Sequence, residues 1–66
     1  MTEPREKPTM NLLGADGNAF SIIGRVKTAL RKAGADEEYV MKYQVEATSG
    51  DYNNLLVVTM GYVHVM

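Results

Sequence analysis

His64 is the only histidine in the chain, and there is no cysteine. A lone imidazole holds a metal or activates a nucleophile only when other ligands or a hydroxyl are folded up to it. The two serines offer little for that purpose. Ser21 and Ser49 sit where a hydroxyl serves a helix start or a cap, and no spacing in the sequence assembles a triad on either. The expectation is a non-enzymatic protein with no catalytic residue, no metal and no cofactor.

Asp16, Gly17 and Asn18 have the composition of a calcium loop. With Gly17 as the turn glycine, however, the first, third and twelfth ligand positions fall on Leu12, Gly14 and Ile23, none of which carries a carboxylate. A turn followed by a helix cap accounts for these residues better. Gly14 and Gly17 ahead of a helix could also face a phosphate with free amides, but neither nucleotide-binding glycine pattern is present and Asp16 would repel the anion.

Charge provides another candidate site. Residues 18–34 hold Arg25, Lys27, Arg31 and Lys32 and no acid, while residues 35–50 set Lys42 against Asp36, Glu37, Glu38 and Glu46. On a helix, Arg25 and Lys32 lie on one flank of the apolar stripe and Lys27 and Arg31 on the other, so the four bases form no dense ridge. A solvated face partly neutralised by the acidic segment is the first reading, and weak nucleic-acid contact through Arg25, Lys27, Arg31 and Lys32 is the alternative. Tyr39, Tyr43, Tyr52 and Tyr62 could form a recognition surface. With a single phenylalanine and no tryptophan in the chain, they are also its main large side chains for a core.

Several elements must position these side chains. Residues 1–8 carry four charges and two prolines, which predicts a loose tail ahead of one small globular domain over residues 9–66. Thr9 to Leu13 reads as a first short strand. From Asn18 onward, Ile22, Ile23, Val26, Ala29, Leu30 and Ala33 recur at helical spacing with Phe20 at the edge of the stripe, Asn18 or Asp16 is placed to cap, and Gly34 is placed to stop the helix.

Asp36 to Ala47 alternates like a strand and also lines a helical face with Tyr39, Val40, Tyr43 and Ala47. Its opening Asp36, Glu37 and Glu38 favours a helix, since a capping oxygen and negative charge suit the positive end of the dipole. Asp51 to Met66 is open between the two states: Leu55 to Val58 suit a buried strand, yet Tyr52, Leu55, Leu56, Thr59 and Met60 share a helical face behind Asp51. Gly61 should interrupt either element. Tyr62 to Val65 then reads as a closing strand with Val63 and Val65 on one face and Tyr62 and His64 on the other.

At 66 residues the chain has room for one domain and buries only about 60% of the surface its unfolded form exposes. With 45% apolar and 23% charged residues and a net charge of −1, it suits a folded chain better than a disordered one. No run approaches the roughly 20 apolar residues that span a bilayer, and the N-terminal residues lack the order of a signal peptide, so a cytoplasmic location is expected. Without disulfides, a second copy is a natural source of extra contacts.

The stretches Gly14 to Phe20 (GADGNAF), Ala29 to Gly34 (ALRKAG) and Glu46 to Leu56 (EATSGDYNNLL) resemble a group of small uncharacterised proteins of bacteria and their mobile elements. The resemblance runs from Leu12 to about Val65. It implies that both ambiguous segments are helices between two short terminal strands, and it implies no chemistry. Val57, Val58 and Gly61 stand where that group is more polar.

The expected fold is therefore α+β: a short N-terminal strand, three short helices and a short C-terminal strand paired with the first. The expected function is that of a small protein-interaction module with an unidentified protein partner, with homodimerisation through the edge strands as one route.

Overall fold

The computed structural model describes residues 1–11 and 19–65, and the order of elements along them is strand, three helices, strand. Strand β1 covers Thr9–Met10, helix α1 Ala19–Lys32, α2 Glu37–Ala47, α3 Tyr52–Tyr62, and strand β2 His64–Val65. The two strands pair in parallel, Thr9 opposite His64 and Met10 opposite Val65. The fold is thus three helices closed by a minimal two-stranded ribbon.

Helix α1 buries Ile22, Ile23, Val26 and Leu30, the stripe that its spacing predicts, while Ala29 and Ala33 are half-buried. Phe20 turns out of that stripe and is 82% exposed. The candidate caps Asp16 and Asn18, the glycines Gly14 and Gly17, and Leu12 and Leu13 of the expected first strand lie outside the described residues. Gly34 closes the α1–α2 turn at φ +104°, a conformation in which a Cβ is strained, so the residue type at this position follows from the backbone.

Helix α2 starts as its acidic opening predicts. Asp36 is extended, and its Oδ1 accepts the Tyr39 N–H at 2.9 Å. Val40, Tyr43 and Ala47 are buried against the other two helices and Tyr39 is half-buried. Thr48 and Ser49 end the helix by giving their hydroxyls to the carbonyls of Gln44 and Glu46, each at 2.7 Å.

Asp51 caps α3 in the same way, accepting the Asn54 N–H at 2.9 Å. The open segment is therefore a helix, and two further expectations are corrected. Gly61 does not interrupt it: α3 runs through Gly61 to Tyr62, and the Val63 N–H still reaches the Thr59 carbonyl at 3.0 Å. A single glycine costs only about 1 kcal/mol here, less than the burial of Thr59 and Val63 and the packing of the Tyr62 ring contribute. The second correction concerns the closing strand. Tyr62 is helical because its ring packs between Tyr39 and Tyr43, and Val63, the helix C-cap, is fully buried while Val65 is exposed, so the two valines do not share a face.

Residues 1–8, which their composition predicts to be a loose tail, lie along the α1–α2 turn. The Arg5 N–H reaches the Ala33 carbonyl at 2.9 Å, and Thr2 and Asp36 exchange hydrogen bonds. Among the described residues no helix is long and apolar enough to cross a membrane.

Candidate interaction surface

Helix α3 is the element whose composition is hardest to explain by the fold alone. Its sequence YNNLLVVTMGY carries no charge, and hydrophobic residues run round its whole circumference. A helix of that kind is normally surrounded by protein. Here only one side is covered: Leu55 and Thr59 are buried and Leu56, Val58 and Tyr62 half-buried, whereas Val57 is 56% and Met60 55% exposed on the opposite side, with Asn53 beside them. Gly61 borders this side, and a Cβ built there would meet nothing within 4 Å.

The covered side is fixed by polar as well as apolar contacts. Thr59 Oγ1 shares a 2.8 Å hydrogen bond with the Tyr43 hydroxyl in the core. The Tyr62 hydroxyl donates to Glu46 Oε1 at 3.0 Å, and its ring stands edge-on to Tyr39 and Tyr43 at centroid distances of 5.5 and 5.1 Å. Asn54 Nδ2 adds a bond to the Glu46 carbonyl at 3.1 Å. These contacts hold α3 in one rotational setting, so its uncharged face is presented to solvent in a fixed orientation. Burial, followed by the hydrogen bond to Glu46, raises the Tyr62 phenol well above its ordinary value, and burial also raises Tyr39 and Tyr43.

Three of the four tyrosines are therefore committed to the α2–α3 seam. Tyr52 is the one exposed tyrosine among the described residues. It lines a shallow groove of about 230 Å³ with Phe20, Ile23, Ala47, Asp51 and Leu55, where the start of α1 meets the α2–α3 turn.

The basic residues of α1 divide as the helical geometry predicts. Lys27 and Arg31 face α2: Lys27 Nζ donates to Gln44 Oε1 at 2.7 Å, and Arg31 grips Glu37 with Nε to Oε1 at 2.6 Å and Nη2 to Oε2 at 3.1 Å. The hydrogen bond from Arg31 holds the Glu37 carboxyl below its ordinary value. Arg25 and Lys32 lie exposed without an ion pair among the described residues.

His64 is exposed on β2, where its backbone N–H bonds the Pro8 carbonyl at 2.8 Å. Ser21 is in the first turns of α1, and Ser49 serves the end of α2. Among the described residues no three histidine, aspartate or glutamate side chains gather as metal ligands would. By sequence alone, Val57 and Met60 read as part of a core strand or helix face. No sequence signal separates them from the core: the absence of charge across Tyr52–Tyr62, in a chain that is 23% charged overall, marks the helix as one that is covered on several sides without saying by what.

No known protein family, curated protein or solved structure matches this chain.

Proposed function

We propose that the protein is a small non-enzymatic interaction module that docks another protein on the outer face of α3. The observation that carries this reading is the pair Val57 and Met60, both more than half exposed on a helix with no charged residue. Exposed apolar residues scattered singly need no explanation, but an uncharged helical face with two aliphatic side chains has the makings of an interface centre. The partner that fits is a protein surface with its own apolar, uncharged patch, since any charge buried against α3 would find no counter-ion there.

The alternative of weak nucleic-acid binding receives less support. Two of its four cations, Lys27 and Arg31, are spent on Gln44 and Glu37, which leaves Arg25 and Lys32 as free phosphate contacts. Two contacts give slight affinity at ordinary salt.

The experiment places a photo-crosslinking residue at Met60 and, as a control, at exposed Lys42, and irradiates intact cells with and without nuclease treatment of the lysate. A discrete protein adduct at Met60 alone, unchanged by nuclease and lost when Val57→Lys is added, is the expected result. Equal labelling at the two positions, or an adduct that nuclease removes, overturns the reading.

A further inference from the structure

We propose that the outer face of α1, continued by the N-terminal segment, is a track for single-stranded nucleic acid, with Phe20 stacking a base and Arg25, Lys32, Arg5 and Lys7 holding phosphates. The inference is independent of the α3 face and starts from where the cations are. Of the seven in the chain, Lys27 and Arg31 bond Gln44 and Glu37, and Lys42 lies over the Tyr39 ring at 5.9 Å. The other four are exposed and have no ion pair among the described residues. They are not scattered.

Arg25 and Lys32 are two helical turns apart, so they stand on the same flank of α1, about 10 Å from one another along its axis. The N-terminal segment is laid across the end of that flank. The Arg5 N–H bonds the Ala33 carbonyl at 2.9 Å, Arg5 Cγ lies 3.7 Å from where a Cβ on Gly34 would stand, and the Pro8 carbonyl accepts the His64 N–H at 2.8 Å. Fixed in this way on both sides of Lys7, the segment closes a cleft of about 460 Å³ in which Arg5, Lys7 and Lys32 meet a single acid, Glu6. A helix C-terminus ordinarily repels an anion. Here the carbonyls of Leu30, Arg31 and Ala33 are taken up by the N–H groups of Ala35, Gly34 and Arg5, so the cations dominate the cleft.

The other end of the face carries the aromatic. Phe20 is 82% exposed and forms, with Ser21, Gly24, Arg25 and Thr28, a hollow of about 450 Å³ on the outside of α1. Its floor is low because Gly24 has no side chain, and a Cβ built there would meet nothing within 4 Å. No acid occurs between Ala19 and Lys32. An open aromatic beside a row of unneutralised cations suits a single strand, in which every base offers a face for stacking and every phosphate a charge. The bases of a duplex stack on one another and give Phe20 nothing, and an acidic peptide would use the cations without the ring. From Phe20 to Lys32 the helix rises about 18 Å, and with the cleft beyond it the track fits on the order of four nucleotides. The two phosphate contacts that α1 offers alone become four, which brings binding into the measurable range at low salt.

The test is fluorescence anisotropy of the full chain with a short labelled DNA of mixed sequence, single-stranded and as a duplex, over a salt series, with unlabelled single strand or polyglutamate of matched charge as competitor. All the substituted side chains are exposed, so the variants keep the fold. The single strand should bind at about 50 mM salt, with log affinity falling against log salt at a slope of about −3, the value for four phosphates. Arg5→Gln, Lys7→Gln, Arg25→Gln and Lys32→Gln should each reduce that slope by about 0.7, while Lys42→Gln leaves it unchanged. Phe20→Ala should weaken binding about fivefold or more at the same slope. Val57→Gln and Met60→Gln should alter neither quantity, so failure of this proposal is distinct from failure of the α3 reading. Absence of binding at about 50 mM salt overturns the proposal, as do Arg5→Gln and Lys7→Gln variants that behave like Lys42→Gln. A duplex that binds as tightly, or polyglutamate that competes as well as the unlabelled strand, overturns it too.

Discussion

Tyr43 and Thr59 share a hydrogen bond of 2.8 Å at the centre of the α2–α3 seam, and both residues are wholly buried. That bond explains how a threonine can sit in a core built from Ile22, Val26, Leu30, Val40 and Leu55. Each hydroxyl satisfies the other, and among the described residues no buried side-chain polar atom lacks a partner.

The pair should behave as a unit on mutation. Tyr43→Phe strands the Thr59 hydroxyl and Thr59→Val strands the Tyr43 hydroxyl, each costing about 1–3 kcal/mol. The double variant removes both polar groups while keeping the shapes, so it should be less destabilised than the sum of the single changes. A double-mutant cycle from urea unfolding measures the coupling; additive losses would show that the bond contributes nothing specific.

The tyrosine seam should also set the alkaline limit of the fold. Burial, then the bond to Glu46, raises the Tyr62 phenol in the folded state above its ordinary value of 10.0. A group whose folded value is raised contributes stability that is complete below the unfolded value and is lost as pH climbs above it. Stability should therefore fall as pH rises past about 10, with phenolate absorbance appearing together with unfolding. Tyr62→Phe should flatten that fall. Phenolate absorbance that titrates while the helical signal persists would show that Tyr62 is less enclosed than its packing indicates.

How much of this was legible in the sequence depended on whether neighbouring signals agreed. In α1 the spacing of Ile22, Ile23, Val26 and Leu30 and the stop at Gly34 point the same way, and the helix is where they place it. In α2 the local chemistry of Asp36 outweighed the alternation of Tyr39, Met41, Tyr43 and Val45. In α3 the β-branched run Val57–Val58 argued against the Asp51 cap, and tertiary packing through Leu55 and Thr59 decided between them. The end of α3 was misread because Gly61 and the alternation after it are local signals, whereas Tyr62 is held by rings from another helix. The exposed pair Val57 and Met60 could not be separated from core residues by hydropathy, since only the orientation of α3 decides which of its apolar sides faces out.

The two sides of α3 should respond differently to polar substitution. Val57→Gln and Met60→Gln alter side chains that are more than half exposed, so each should change the unfolding free energy by no more than about 0.5 kcal/mol. Leu55→Ala, on the covered side, should cost about 2–5 kcal/mol. If Val57→Gln or Met60→Gln destabilises the monomer by more than about 1 kcal/mol, the outer face serves the fold and not a partner.

Asp36 and Asp51 cap successive helices with the same geometry, yet they should not be equivalent. Asp51 accepts one backbone N–H, from Asn54, and Asp51→Ala should cost about 1 kcal/mol. Asp36 accepts the Tyr39 N–H on Oδ1 and the Thr2 N–H on Oδ2, so its loss frees both a helix start and the N-terminal segment. Asp36→Ala should therefore be the more damaging change. Asp36→Asn separates the two roles, because asparagine retains a carbonyl oxygen for the Tyr39 N–H while its amide nitrogen cannot accept from Thr2. Amide exchange at Thr2 and Arg5 should accelerate in Asp36→Asn while exchange at Val40 is little changed. The same carboxylate ties the segment to pH: the Tyr39 N–H, then the Thr2 N–H, hold Asp36 below its ordinary value of 3.8. A lowered folded value contributes stability that is present above the unfolded value and is lost as pH falls through the folded one. Acidification below about 3.8 should thus release Thr2 before the helices melt, and Asp36→Asn should remove that step. Protection of Thr2 that survives acidification unchanged would show that the carboxylate does not hold the segment.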